Sequence, residues 1–315
     1  MNIEGTLRAL LLACVVILVF SAGGVSSALA QEEGSKEIKA EEFIKKRPPQ
    51  PSGRSRIASK KPTYKTSQAM ALVAPPPGKM FAQVGVTVWR FRPSTAGDKT
   101  KELVEEEGEQ PSQFSLERIE EGTLLAPGQR IRLSIESLSR DGYLYVINRE
   151  EYSDGSLGDA RLIFPTKRTP EGANRVKAGK LIYIPGPPRY FRIKPSASPK
   201  GHVAEVITFL VSSQPLIDPN LLSTTAITLP SEQVESWERQ WTTRPTKFEM
   251  EGGAGQTMTE KEQKASTDDA ALTQEDPAPQ TIYRLAIKPD DVMVIRLPLR
   301  FTKTKADDLT NLKPR

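Results

Sequence analysis

The residues with the widest chemical reach in this chain are one histidine, one cysteine and a loop dense in carboxylates. His202 follows Lys200-Gly201 at the start of a strand and is formally able to serve as a general base. No G-x-S-x-G elbow accompanies it, and zinc sites draw on several His or Cys ligands, so zinc and triad chemistry are disfavoured. The loop Glu150-Glu151-Tyr152-Ser153-Asp154-Gly155-Ser156-Leu157-Gly158-Asp159 supplies acids. Two carboxylates suffice for glycoside hydrolysis, and Glu151, Asp154 and Asp159 are the ligand type calcium takes, although the spacing departs from the EF-hand pattern. A solvated hairpin loop is the expected state of this segment, with no cofactor. Phosphate-cradling and dinucleotide glycine signatures do not occur.

A second group bears on binding. Tyr183, Tyr190 and Phe191 flank Pro185-Gly186-Pro187-Pro188, and an exposed platform of this kind would stack on a sugar or hold a proline-rich peptide. Ordinary packing against a sheet is the competing reading.

The elements that must position these groups read as strands. Val84, Val86 and Val88 alternate with Gly85, Thr87 and Trp89, and Ile131, Leu133 and Ile135 alternate with Arg130, Arg132, Ser134 and Glu136, as in a half-buried strand. Asp141-Gly142 then leads into Tyr143 to Ile147, apolar on both faces and so central. Turn residues of this kind between alternating runs predict a hairpin. Short strands follow at Leu162–Phe164, Leu181–Ile184 and Tyr190–Ile193, and the longest at Val203–Val211. Ser231 reads as an N-cap, with Val234, Trp237 and Trp241 on one helical face packing on a sheet. Residues 252–280 read as a long loop with at most a short helix near Thr259–Lys264. Pro289-Asp290-Asp291 turns a closing hairpin over 281–301.

Of 315 residues, 37% are hydrophobic, and no repeat or series of membrane-length stretches occurs, which excludes collagen-like, coiled-coil and multi-span classes. Residues 1–30 read as a signal peptide: Ala9 to Phe20 is apolar, and Ala28 and Ala30 are small residues before Gln31. The apolar part is shorter than the ~20 residues of a spanning helix, so cleavage is favoured over a retained membrane anchor. Cys14 lies within the leader, so the mature chain has no disulfide and no thiolate.

The net charge of +5 is concentrated early, where Gln31 to Gln83 carries eleven Lys/Arg against five Glu. With Pro48-Pro49, Pro51, Pro62 and Pro75-Pro76-Pro77, residues 31–83 read as a disordered basic linker. It serves as a tether or touches an anionic envelope surface. Nucleic acid is not expected as a partner, since the charge lies outside the fold and the chain is exported.

The pattern predicts a mainly β protein: an antiparallel β-sandwich, immunoglobulin-like or jelly-roll-like, over 84–301, with one helix at about 231–241 and a flexible tail at 302–315.

The order of Gly128-Gln129-Arg130, Asp141-Gly142-Tyr143-Leu144-Tyr145, Leu162-Ile163-Phe164-Pro165, Asn174-Arg175-Val176, Ala178-Gly179 and Ile184-Pro185 resembles a bacterial domain-of-unknown-function family, numbered four-three-eight-four. The likeness covers residues 123–216, and the flanks Val84–Arg90 and Gln280–Arg284 look like longer exported members. It implies a β-rich accessory module without catalytic residues. The expected function is therefore an exported, periplasmic or extracellular, non-catalytic module for envelope-associated protein interaction. A glycan or cell-wall binding module is the alternative, and a carboxylate-dependent hydrolase the remote one.

Overall fold

The computed structural model describes residues 38–51, 61–66, 74–105, 110–170, 173–265 and 270–302. Residues 1–37, with Cys14 and the segment read as a signal peptide, and the tail from residue 303 lie outside them. The protein is mainly β, built on two antiparallel sheets, and no described helix is long and apolar enough to cross a membrane.

In chain order the strands begin with β1 (Ile38–Lys39), β2 (Thr63–Lys65), β3 (Met80–Pro93), β4 (Glu102–Val104), β5 (Ser112–Ile119) and β6 (Arg130–Ser137). Then come β7 (Gly142–Tyr152), β8 (Arg161–Phe164), β9 (Arg175–Val176), β10 (Ile182–Ile184), β11 (Phe191–Arg192) and β12 (His202–Ser212). The chain finishes with β13 (Ile227–Thr228), α1 (Ser231–Trp241), β14 (Thr246–Met250), α2 (Glu260–Lys264), β15 (Thr281–Ile287) and β16 (Met293–Arg300).

The first sheet is organised by β3, which pairs with β15 and then β5 along one edge and with β6 along the other. Beyond β6 lie the short strands β10 and β11; beyond β15 lie β14, β2 and β1. The second sheet runs β13-β8-β7-β12-β16, with β9 also on β7. Alternate residues of both sheets meet in the core between them: Val84, Val86 and Val88, Leu133 and Ile135, Leu144 and Val146, Ile207 and Phe209, Ile295 and Leu297. This is the period-two alternation of inward-facing residues that a sandwich requires.

Neither expected hairpin is one. β6 pairs within the first sheet and β7 within the second, so the Asp141-Gly142 turn carries the chain across the sandwich. The same holds for Pro289-Asp290-Asp291, since β15 pairs with β3 and β16 with β12. A two-residue hairpin of the favoured type needs positive φ, and Gly142 does not adopt it. Its glycine serves close approach instead: a Cβ there would sit 2.5 Å from the Ser212 carbonyl oxygen. Gly142→Ala is therefore expected to destabilise the fold by about 1–3 kcal/mol in urea unfolding; an unchanged midpoint would refute this. Arg140 fastens the two crossings together, donating to the carbonyls of Pro289 (2.8 Å), Val211 (2.8 Å) and Asp291 (2.8 Å).

Both outer faces are also covered. α1 lies over Tyr145, Ile147, Leu210 and Val294 through Val234, with Trp237 and Trp241 packed alongside, as the helical stripe predicts. Ser231 is the first helical residue and not the cap: Pro230 holds the cap position and no side chain caps it. The helix near Thr259–Lys264 is present as α2, with a capping box between Thr259 and Glu262.

The outer face of the first sheet departs further from expectation. Arg132, Ser134 and Glu136 of β6 are buried, not solvated. Residues 250–265 and 270–280 fold back over Trp89, Leu116 and Tyr183 through Met258, Ala265 and Leu272. Polar side chains survive there because each is paired. Arg118 pairs with Glu262 and donates to the Ala278 carbonyl (2.7 Å), while Arg132 pairs with Glu102 (2.7 Å). Arg47 clasps Glu136 by two bonds, Nε to Oε1 at 2.8 Å and Nη2 to Oε2 at 2.6 Å.

That last pair moves the boundary of the folded body. The sequence reading started it at Val84, yet Ile38, Ala40, Phe43, Ile44 and Tyr64 are core residues packed with Phe248, Met250 and Ile282. Within the segment read as linker, 38–51, 61–66 and the start of β3 at Met80–Gln83 are thus built into the fold; 31–37, 52–60 and 67–73 lie outside the described residues. A few large apolar residues among many lysines and prolines suffice, because the sheet already offers the surface they cover.

Candidate functional site

The sandwich core opens at one side. There β10 and β11, at the margin of the first sheet, stand across from β8 and β13, at the margin of the second. Between them lies a cleft of about 840 Å³. Ile163 and Phe164 of β8, Ile184 of β10 with Pro185 after it, and Phe191 of β11 give it an apolar lining. Ile163, Phe164 and Phe191 are half-buried and continuous with the inter-sheet core. Threonines 166, 169, 224 and 225 supply hydroxyls, and Arg168, Lys180 and Arg189 supply positive charge; no described lining residue carries a carboxylate.

Both walls are fixed from behind. The Arg189 carbonyl accepts from buried Arg132, at 2.7 Å from Nη2 and 3.1 Å from Nε. On the other side the Lys167 amide donates to the Ser223 carbonyl at 2.8 Å, tying the 165–170 loop to the 223–226 loop. An adjoining depression of about 500 Å³ shares Lys180 and adds Arg175 and Lys177 against a single acid, Asp141. Arg175 is held over the Tyr143 ring, 4.8 Å from its centroid, and donates to its hydroxyl at 2.6 Å.

The expected aromatic platform is divided by this arrangement. Phe191 lines the cleft. Tyr183 is only 5% exposed, its ring among Trp89, Met258 and Leu272 and its hydroxyl donating to the Glu262 carbonyl at 2.8 Å. Tyr190 packs on Phe91 (5.6 Å between centroids) with Arg130 over its ring (5.5 Å). The three rings do not form one exposed surface, because strand alternation sends Tyr183 outward beneath α2.

The acidic loop is likewise divided. β7 and β8 pair, so the loop does close a hairpin. Asp154 is exposed and turned on its own loop, accepting from the Ser156 amide at 2.8 Å and hydroxyl at 2.6 Å; these bonds hold its carboxyl below the usual aspartate range. Glu151 faces Arg300 at 3.6 Å, and Asp159 is exposed. Among the described residues no group of three His, Cys, Asp or Glu is placed to hold a metal ion.

His202 is buried and committed to the main chain. Its Nδ1 accepts from the Ser196 amide at 2.9 Å, and its Nε2 donates to the Ala204 carbonyl at 3.0 Å. The ring stands edge-on to Phe301, 4.9 Å between centroids. Beside it lies a carboxylate pair with no sequence signature: Glu205 of β12 stands opposite Glu150 of β7. Glu150 accepts from Tyr152 (2.8 Å) and Ser196 (3.1 Å).

Burial raises the Glu205 pKa above the ordinary glutamate value, against the hydrogen bond from Asn148 and the neighbouring His202. Because the folded-state value exceeds the unfolded one, this contribution to stability is present below about pH 4 and lost as pH rises through the folded value. Glu205→Gln is accordingly expected to raise the thermal midpoint at pH 7 and to change it less near pH 4. Equal differences at both pH values would contradict it.

The cleft cations Arg168, Lys180 and Arg189 had no signal in the charge count, since the body from Val84 onward averages close to neutral. No family model, curated protein or solved structure matches the chain.

Proposed function

We propose that this chain is an exported, non-catalytic β-sandwich module that recognises a partner protein through the cleft between β10–β11 and β8–β13. One observation carries the reading: the inter-sheet core opens there into a groove of about 840 Å³ with apolar and threonine lining and a cationic rim. Its walls are pinned by Arg132 and by the Lys167–Ser223 bond, so little ordering is needed on binding. Apolar surface flanked by a few placed polar groups is the usual composition of a recognition site. The main-chain commitments of His202, and the engagement of Glu151 with Arg300 and of Asp154 with Ser156, favour binding over hydrolysis. A stacking platform for sugars is less well supported, since Tyr183 is buried. The likeness of residues 123–216 to an uncharacterised accessory family belongs to the same proposal, and most of the cleft falls in that segment.

The test is a photo-crosslinking side chain at Thr225, an exposed residue of the cleft mouth, in the native cell. Exposed Leu103 is the control position. The expected result is a protein adduct specific to Thr225, whose purified partner binds the purified chain and fails to bind Thr225→Trp. Equal adducts at both positions, or full binding by Thr225→Trp, would refute the reading.

A further inference from the structure

We infer that the cleft takes an extended, acidic segment of the partner, which pairs as an added strand on the free edge of β10. The inference rests on the functional reading above and specifies its ligand. Three features of the cleft point to this occupant.

The first is an open strand edge. β10 is hydrogen-bonded on one side only, to β6. Just before β10 this outer edge is already taken, the Leu181 amide donating away from β6 to the Ala265 carbonyl at 3.1 Å, so the open part begins at Tyr183. Period-two alternation turns the Tyr183 main chain the same way, toward the cleft it lines. An edge of this kind is a template for another chain, and strand addition is a recurrent mode of peptide recognition.

The second is the shape of the lining. A chain laid along β10 presents alternate side chains to opposite faces. One set would meet Ile163, Phe164 and Phe191, which continue the inter-sheet core; the other would face the mouth, where Arg168 and Arg189 are exposed. Apolar residues alternating with charged ones satisfy both sets.

The third is sign. Arg168, Lys180 and Arg189 line the cleft and no described residue of it is acidic; beside it Arg175 and Lys177 outnumber the one acid, Asp141. Such a rim attracts carboxylates and repels a basic segment, which sets partner choice and association rate more than total affinity.

The probe is a fluorescent ten-residue peptide of alternating Glu and Val, titrated against the full chain by anisotropy. Saturable binding at about 100 μM or tighter is expected, falling at least tenfold for Arg168→Glu/Arg189→Glu and weakening with added salt. A peptide N-methylated at every second amide, on the edge that would pair, is expected to lose a similar factor. The Lys-Val peptide should not bind. Both arginines are exposed, so far-UV circular dichroism and thermal midpoint should be unchanged; Arg168→Ala/Arg189→Ala, expected to lose at least threefold, serves if the reversal disturbs folding.

Failure of the acidic peptide to bind would overturn the inference. So would binding insensitive to N-methylation, or binding of heparin in its place, which would indicate an anionic polysaccharide. A Thr225 protein adduct alongside any of these results would leave the functional reading standing and remove only the acidic-strand ligand.

Discussion

Arg47→Ala is expected to destabilise the protein by about 3–5 kcal/mol, the cost typical of removing one partner from a buried ion pair. Arg47 and Glu136 are 2% and 0% exposed, and their bidentate contact joins the N-terminal segment to the centre of the first sheet. The arginine also donates through Nη1 to the carbonyls of Thr273 (3.3 Å), Asp276 (3.2 Å) and Pro277 (3.1 Å), and the glutamate accepts from the Gly179 amide at 2.7 Å. Four separate stretches of chain therefore meet at one pair. Glu136→Ala should cost a similar amount, since it strands the guanidinium. The double variant Arg47→Met/Glu136→Leu should recover part of the loss and not all, because the Gly179 amide and the three carbonyls lose a partner. Urea unfolding of the cycle checks this; a change below about 1 kcal/mol for either single alanine variant would show that the pair is relaxed or solvated.

The second large effect concerns where the folded body begins. A chain starting at Ala74 is expected to lose cooperative unfolding, whereas one starting at Ile38 should keep its thermal midpoint. The shorter chain lacks β1 and β2 and leaves Phe248, Met250 and Ile282 without Phe43, Ile44 and Tyr64. Phe43 alone contacts two rings, Tyr64 at 5.2 Å and Phe248 at 4.8 Å between centroids. Removing one buried aromatic side chain costs about 3–5 kcal/mol, comparable with the whole stability of many domains. Tyr64→Ala tests the same point within the intact chain, through its ring and through its hydroxyl bond to the Pro279 carbonyl. A cooperative transition at the same midpoint for the Ala74 chain would restore the boundary at Val84.

Much of the sandwich was legible because alternation is a local property. Val84, Val86 and Val88 announce an inward face whatever the rest of the chain does, and so do Ile131, Leu133 and Ile135. Strand pairing is not local. Asp141-Gly142 has hairpin chemistry, and only the pairing of β6 with β3 and of β7 with β12 reveals an inter-sheet crossing. The polar face of β6 misled for a related reason. Arg132 and Glu136 look solvent-facing until Glu102 and Arg47 arrive from distant parts of the chain to neutralise them.

The candidate site followed the same rule. Phe191 and the Pro185–Pro188 turn were recognisable by type, and they do border the cleft. Lys180 and Arg189 lie beyond β9 and are brought to Phe164, Arg168 and Thr225 only by sheet packing, so no spacing rule links them.

The amino-acid order alone settled the class of this protein: period-two alternation and frequent turn residues mark it as mainly β, with one amphipathic helix, because each signal is carried by neighbours within about ten positions. Tertiary packing decided which strands share a sheet, which charges are buried in pairs, that part of the basic N-terminal segment is core, and that the two sheets part at β10 and β8. Those outcomes depend on surfaces brought together from far along the chain, where the free energy of burial and charge pairing outweighs anything written in local order.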